Sequence, residues 1–277
     1  MADIPFATVA GAQSCSVSVG PNRVHYVTAG KGSHTLVFVH GWACHLGFWR
    51  EQVAALADHA RLIFIDLPGH GHSDKPEANY TLDFFAEAVL AVMSDAKVDK
   101  AVLVGHSLGG AVICRVHHQA PEKIAALVSV DGLLCRPSGT PAEARALVAP
   151  FGSPHYREHA AGFIRRLFMF SGTETLCGQV TAEMLATPQH VMLGGMLALF
   201  APDQPDWFLQ NVKVPILVLN ARSPWWNADY ENYVRSCSPQ TDYRVMEGAS
   251  HFLMLEQPAE FNVRLTEMLR KFDLIGK

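Results

Sequence analysis

The chain turns from a strand into a helix within the stretch Val102-Leu103-Val104-Gly105-His106-Ser107-Leu108-Gly109-Gly110. Three aliphatic residues before a glycine predict a buried strand, and the apolar run that follows Gly110 predicts a helix. So short a turn forces its central residue, Ser107, into strained backbone geometry, and the glycines on either side remove Cβ atoms that would collide there. We therefore expect the Ser107 hydroxyl to stand clear of the sheet and to face the first free N–H groups of the helix.

The five residues Gly105–Gly109 match the Gly-x-Ser-x-Gly pattern of a nucleophile elbow. The pattern alone is moderately specific, because glycine and serine are common residues. A strand before it and a helix after it make the signal much stronger. The alternative is a glycine-rich turn whose serine only caps the helix. We predict that Ser107 is a nucleophile.

The composition of the chain fits one large domain. The sequence has 277 residues, of which 49% are hydrophobic and 17% are charged. This is enough for one core with an inserted subdomain, and too little for two average domains with a linker. A net charge of −4 favours neither a nucleic acid nor an anionic membrane surface as a partner.

Signals for targeting and for metal binding are weak in this sequence. We find no signal-peptide pattern, no apolar run as long as a membrane span, and six cysteines without close pairing. We therefore expect a soluble cytoplasmic protein with reduced thiols. No spacing of histidines and cysteines matches a structural zinc site, so we expect neither a metal nor a cofactor.

Strand and helix patterns alternate along most of the chain. The apolar patterns predict strands at 13–19, 23–29, 35–39, 61–66, 101–105, 125–130, 214–220 and 242–246. They predict helices at 48–57, 81–96, 108–119, 229–236 and 258–272. Such alternation implies a mostly parallel sheet that is covered on both faces.

One helical block, residues 133–209, interrupts this alternation between two strands. Within it the periodicity predicts four helices, at 142–149, 157–170, 173–186 and 189–200. An insertion at this point would lie over the carboxyl ends of the strands, where such sheets bind their ligands. We therefore predict a core domain of residues 1–132 and 210–277, and a helical cap (lid) of residues 133–209.

Four motifs, in this order, resemble those of the α/β-hydrolase superfamily: His40-Gly41-Trp42, Asp66–Asp74, Gly105–Gly110 and Gly248–Pro258. They extend the resemblance from about residue 23 to the C-terminus. It is nearest to cap-bearing serine esterases and lactonases, because Ser107 stands where dehalogenases and epoxide hydrolases of the superfamily have an aspartate. The resemblance implies an α/β-hydrolase fold, with a mostly parallel eight-stranded sheet, helices on both faces and an inserted helical cap.

The resemblance also implies roles for three further residues. His251, between the last strand and the final helix, has the superfamily's position for the histidine of the catalytic triad, and would act as the base for Ser107. The backbone N–H of Leu108 follows the nucleophile, and that of Trp42 lies in the loop after His40. These two N–H groups would donate to the oxyanion of an acyl-transfer reaction.

The acid of the triad is where the chain departs from the superfamily's pattern. The usual place is the loop after the strand that ends at Asn220, and residues 221–229 have no carboxylate at the expected position. Asp131, at the end of the preceding strand, occupies an alternative place, and a strand end holds a carboxylate rigidly against an imidazole. Asp229 is a second candidate, although acidic residues are common at helix starts. We favour Asp131, with Asp229 or no functional acid as the alternatives.

Several other residues receive structural interpretations. We expect His40 and His106 to be structural, and Asp66 and Asp74 to shape their loop. A solvated helix face is the better interpretation of Arg165 and Arg166. Apolar residues of the cap should mostly pack onto the core, while a few line a pocket around Ser107 together with Trp225, Trp226 and Phe252.

These observations predict a serine hydrolase that cleaves carboxylic esters or lactones of small, largely apolar substrates, with Ser107, His251 and Asp131 as its triad. We expect its partner to be the small-molecule substrate, and we expect it to bind neither a nucleic acid nor a membrane. Whether the chain forms a homodimer is left open. Two alternatives remain. Because the usual acid is missing, the fold could run non-hydrolytic chemistry, as a cofactor-free oxygenase, lyase or perhydrolase, or it could serve as a hydrolase-like receptor for a small molecule.

Overall fold

The computed structural model describes residues 6, 11–135, 140–200, 209 and 212–276. Within these residues the chain forms one eight-stranded sheet. Its strands are β1 (Gln13–Val19), β2 (Asn22–Gly30), β3 (Thr35–Val39), β4 (Arg61–Ile65), β5 (Ala101–His106), β6 (Ile124–Val130), β7 (Ile216–Ala221) and β8 (Thr241–Met246). The order across the sheet is β1-β2-β4-β3-β5-β6-β7-β8.

The first two strands run antiparallel to their neighbours, and the other six form parallel pairs. The mostly parallel eight-stranded sheet that the sequence predicts is therefore confirmed. All six residues of β5 and all six of β7 are buried, as is expected for central strands that helices cover on both faces. The edge strand β1 instead alternates between exposed and half-buried residues.

Ten α-helices and three 3-10 helices are found in the described parts of the chain. The 3-10 helices are Leu46–Gln52, Pro121–Lys123 and Ala149–Gly152. The others are α1 (Val53–Leu56), α2 (Leu82–Asp95), α3 (Leu108–Gln119), α4 (Pro141–Val148), α5 (Tyr156–Arg166), α6 (Glu174–Met184), α7 (Gln189–Phe200), α8 (Ala228–Cys237), α9 (Leu253–Glu256) and α10 (Pro258–Lys271). None of those described is long and apolar enough to cross a membrane.

Two predicted helices differ from what the structure contains. The helix expected at 48–57 is mostly a 3-10 helix, and its first turn is fixed by N–H groups that donate to side chains: Leu46 to Asp66 and Gly47 to His45. The helix expected at 157–170 ends at Arg166, because the residues after it make hydrogen bonds to another loop instead of extending the helix.

Helices α4–α7 lie between β6 and β7 in the chain, as the predicted cap requires. They contact the core directly: the Trp42 indole Nε1 donates to Met192 O at 2.7 Å, and Thr187 Oγ1 donates to Ala43 O at 3.1 Å. Residues 136–139, 201–208, 210 and 211, near both predicted boundaries, lie outside the described residues. The division into a core of 1–132 and 210–277 and a cap of 133–209 therefore stays a prediction.

Candidate active site

Ser107 lies at a sharp bend between β5 and α3. Its backbone angles are φ 54° and ψ −117°, which is a strained combination for a residue with a Cβ atom. The bend is possible because two glycines flank it. A Cβ atom at Gly105 would overlap Gly109 O, and one at Gly109 would overlap Val39 O. The sequence pattern and the backbone therefore agree on an elbow at Ser107.

A buried hydrogen bond joins His251 to Asp131. His251 Nδ1 lies 2.6 Å from Asp131 Oδ2, and the two residues are only 9% and 2% exposed. A carboxylate can only accept, so Nδ1 carries the proton and Nε2 is left as the acceptor. Asp229, the alternative acid, is exposed in the first turn of α8. The structure thus brings Asp131, rather than Asp229, against the imidazole.

The second oxygen of Asp131 accepts two further hydrogen bonds. Ala221 N–H donates to Asp131 Oδ1 at 2.8 Å, and the Trp226 indole Nε1 donates to the same atom at 2.7 Å. Together with His251 these donors fix the plane of the carboxylate. The sequence interpretation gave Trp226 a place in the pocket wall and missed this contact. The signal available was its position, in the loop where the superfamily's usual acid would stand.

Glu256 holds the backbone on both sides of His251. The N–H groups of Ser250 and Phe252 donate to the two oxygens of the Glu256 carboxyl group at 3.0 and 3.1 Å. Burial raises the pKa of Glu256, although these hydrogen bonds act in the opposite direction. The sequence motif contained Glu256, but nothing in its spacing indicated this role.

The segment after α5 also contacts the His251 loop. His251 N–H donates to Leu167 O at 3.2 Å, and Met169 N–H donates to Ser250 Oγ at 2.9 Å. These contacts explain why α5 ends at Arg166 and not later. The orientation of His251 therefore depends on the segment between α5 and α6 as well as on its own loop.

His106 has a structural place beside the site. Its Nε2 donates to His251 O at 2.9 Å, and the two rings lie 4.7 Å apart. Burial lowers the pKa of His106 well below its usual value, and the neighbouring His251 lowers it further. The neutral His106, which precedes Ser107 in the chain, thus links the elbow to the backbone of His251. No hydrogen bond joins Ser107 Oγ to His251 Nε2 among the described residues, and such contacts are often long before substrate binds.

Trp42 and Leu108 each have a free backbone N–H in the described part of the chain. The loop that contains Trp42 passes close to the elbow: a Cβ atom at Gly41 would lie 3.0 Å from Ser107 Cβ. His40 holds this loop, since it bonds to Gly41 O through Nδ1 and accepts from Leu67 N–H through Nε2. Burial lowers the pKa of His40 to about 3, so it is neutral.

Aromatic side chains surround the imidazole. The rings of Phe252 and Trp225 lie 5.2 and 6.5 Å from that of His251, and Phe168 stacks on Phe252 at 5.2 Å. Trp225 is 58% exposed, which places an open apolar surface next to the site. Arg165 and Arg166 are both exposed on α5, in line with a solvated helix face.

Comparison with known proteins follows this geometry. A family model described as "alpha/beta hydrolase fold" matches residues 34–258. The chain therefore belongs to the α/β-hydrolase family. In this member of the family, catalytic roles for Ser107, His251, Asp131, Trp42 and Leu108 are proposals.

Three known proteins show the extent of the similarity. The chain is 28% identical over 264 residues to the dihydrolipoyllysine-residue acetyltransferase component of the acetoin cleaving system of Cupriavidus necator; 89% of this chain and 66% of that protein are covered. The chain thus spans slightly less than two thirds of that relative's length. A thermophilic esterase from Thermogutta terrifontis has a TM-score of 0.83 at 22% identity, with 94% of this chain and 99% of that chain covered. The esterase RhEst1 from Rhodococcus sp. ECU1013 has a TM-score of 0.78 at 26% identity, with the same coverage of 94% and 99%.

Proposed function

We propose that this chain is a serine hydrolase that cleaves carboxylic esters or lactones of small, largely apolar molecules through an acyl-enzyme on Ser107. The observation that carries the proposal is the 2.6 Å hydrogen bond between His251 and Asp131, with His251 bonded in turn to His106, the chain neighbour of the strained Ser107. The name of the Rhodococcus structure, an esterase at 26% identity, supports the same class of reaction.

In the first half of the proposed reaction, Ser107 Oγ attacks the carbonyl carbon and passes its proton to His251 Nε2. Asp131 stabilises the imidazolium that forms and holds the ring in the correct tautomer. The oxyanion accepts hydrogen bonds from Trp42 N–H and Leu108 N–H, and each such donor is worth about 10²–10³ in rate. His251 then gives the proton to the leaving alcohol.

In the second half, water attacks the acyl group on Ser107. His251 Nε2 takes a proton from this water and returns it to Ser107 Oγ as the acid product leaves. A lactone gives a hydroxy acid by the same two steps, because its alcohol stays attached to the acyl group. No metal or cofactor has a task in either step.

The aromatic surroundings support a largely apolar substrate. The exposed Trp225 lies beside His251, and the half-buried Phe168 stacks on Phe252, which is itself buried against His251. On the cap side the Trp42 ring contacts those of Phe151 and Phe163 at 5.1 and 5.6 Å. Such surfaces bury an acyl chain without offering it a charged partner.

The test is hydrolysis of p-nitrophenyl acetate and butyrate by the full chain and by its Ser107→Ala variant. We expect the unmodified chain to turn over both esters, and the variant to lose at least about 10³-fold in kcat. Equal turnover by the two proteins would end the proposal. The non-hydrolytic alternative is motivated by the absence of an acid at the superfamily's usual position. Because Asp131 is bonded to His251 and can act as that acid, hydrolysis is the better hypothesis.

The cytoplasmic location and the homodimer stay predictions. All six cysteines are unpaired in the structure. Sedimentation of the purified chain would decide between a monomer and a homodimer.

A further inference from the structure

A second chain of hydrogen bonds, a relay, joins a serine, a histidine and an aspartate near the β1 edge of the sheet. Ser14 Oγ lies 2.9 Å from His25 Nε2, and His25 Nδ1 lies 2.8 Å from Asp66 Oδ2. Ser14 is on the edge strand β1, His25 is on β2, and Asp66 follows β4. None of these residues has a task in the proposed ester hydrolysis.

The inner half of this relay is rigid. Asp66 is fully buried and His25 is 6% exposed. Leu46 N–H and His72 N–H also donate to the Asp66 carboxylate, at 2.8 and 2.9 Å. A Cβ atom at Gly71 would overlap this carboxylate, so the surrounding loop fits closely around it.

The charge of Asp66 fixes the proton on His25. Burial by itself would raise the pKa of Asp66, but the hydrogen bonds from His25, His72 and Leu46 outweigh it and lower the pKa. An ionised carboxylate accepts the Nδ1 proton of His25, which leaves Nε2 as an acceptor. In the neutral form of His25, Ser14 Oγ–H is the donor to Nε2, the polarity that a base and its nucleophile require.

The outer half of the relay is open to solvent. Ser14 is exposed, as are Ser16 and Ser18 on the same face of β1. Ser16 is directly opposite His25 in the strand register, whereas Ser14 is diagonal to it. Among the described residues only Ser14 of these three has its hydroxyl bonded to His25. The edge strand thus contains one serine with a base and two neighbours that serve as controls.

We propose that Ser14 is a second nucleophile of this chain, which His25 and Asp66 activate to take an acyl group from an activated ester. Ser14 Oγ forms a bond to the carbonyl carbon, and its proton moves to His25 Nε2. The bond from that carbon to the leaving oxygen breaks, and the phenolate departs. His25 then loses its added proton to water, which restores the neutral ring and leaves O-acyl-Ser14.

The acyl group accumulates on Ser14 instead of turning over. Ser14 lies within an extended strand that continues to Val19, so no helix begins there to direct free N–H groups at an oxyanion. Each absent donor costs about 10²–10³ in rate, and hydrolysis is the slower of the two steps because a serine alkoxide is a much poorer leaving group than the phenolate of an activated ester. The product is a singly modified chain, which makes Ser14 an acylation site and not a second turnover site.

The experiment uses the full chain with Ser107→Ala, so that the elbow serine takes no label. The protein is incubated with p-nitrophenyl acetate, and acetylation is followed over time by mass spectrometry of the fragmented 1–23 peptide. We expect Ser14 to acquire acetyl about 10²-fold faster than Ser16, the usual contribution of a positioned base. Equal rates at Ser14 and Ser16 would overturn the proposal.

A His25→Gln variant tests the relay itself. We expect the rate at Ser14 to fall to that at Ser16, and an unchanged rate at Ser14 in a folded variant would overturn the proposal. If this variant does not fold, the ratio of Ser14 to Ser16 in the Ser107→Ala chain decides alone. Failure here leaves ester turnover by the unmodified chain untouched, so the two proposals are tested separately.

Discussion

Two serines of this chain face a histidine–aspartate pair in different ways. At the elbow, Ser107 is in a strained backbone conformation at the start of α3, and no hydrogen bond joins it to His251 among the described residues. At the sheet edge, Ser14 is in a relaxed strand and already bonds to His25. We infer from this difference that the backbone at the serine, more than the histidine–aspartate pair, decides whether a site turns over.

The physical reason lies in the oxyanion. A strained residue costs of order 1–3 kcal/mol, and we propose that the strain at Ser107 aims its hydroxyl at the space that the Trp42 and Leu108 N–H groups face. A serine in a regular strand has no such backbone strain, and no pair of free N–H groups faces its hydroxyl to stabilise an oxyanion. We therefore expect turnover at Ser107 and single acylation at Ser14.

The largest difference in kcat is expected between variants of the two histidines, His251 and His25. His251→Gln removes the base for Ser107, and we expect kcat for p-nitrophenyl butyrate to fall by about 10⁵-fold. The matched variant His25→Gln should change kcat less than about twofold, provided that it folds. Comparable losses in both would break the distinction between the two regions.

The next effect separates the candidate acids. Asp131→Asn leaves the shape of the side chain but cannot stabilise the imidazolium, so we expect a loss of about 10⁴-fold in kcat. Asp229→Asn, at the exposed start of α8, should leave kcat within about twofold. A large loss in the second variant and none in the first would assign the acid to Asp229.

A smaller effect is expected at Trp226. Trp226→Phe keeps an aromatic ring, although a smaller one, and removes the N–H that donates to Asp131, so we expect kcat to fall about tenfold with KM almost unchanged. Trp225→Phe, its exposed neighbour, should alter KM more than kcat, because its ring only borders the pocket. A Trp226→Phe variant with an unaltered kcat would show that the indole only packs.

The smallest effect concerns stability around Asp66. Burial lowers the pKa of His40 to about 3 and that of His70 to about 4, whereas both would titrate near 6.5 in the unfolded chain. The unfolded state therefore binds more protons between about pH 6.5 and pH 4, and the free energy of unfolding falls as the pH falls through this window. We expect a lower Tm at pH 5 than at pH 7.

Two variants sharpen this prediction. His70→Gln should start from a lower Tm and show a smaller drop between pH 7 and pH 5, because it removes one of the buried groups. His118→Gln, at an exposed site on α3, should leave the drop unchanged. A Tm that is independent of pH across this window would contradict the neutral burial of His40 and His70.

Local patterns predicted most of the fold. The strands β3 to β8 and the helix α3 follow directly from apolar periodicity and from the glycines around Ser107, because both are signals within a few residues. The cap helices were found in the same way. The pairing of His251 with Asp131 needed chain order and the resemblance to a family in addition, since 120 positions separate the two residues.

The contacts that the sequence could not predict join distant residues of ordinary type. Nothing in the composition of the loops indicates that Trp226 donates to Asp131, or that Glu256 holds the backbone around His251. The bond between Ser14 and His25 depends on a diagonal position across two strands, which only the register decides. Such contacts are products of tertiary packing and have no local signature.

The most direct test of the central claim is a map of covalent labelling by an organophosphonate, which mimics the tetrahedral intermediate and needs the oxyanion donors. The full chain is treated with a small excess, and the modified residue is identified by peptide mass spectrometry. We predict rapid labelling of one serine per chain, at Ser107, and its loss in Ser107→Ala. Rapid labelling of Ser14 instead, or of neither serine in a folded chain, would contradict the assignment of turnover to the elbow.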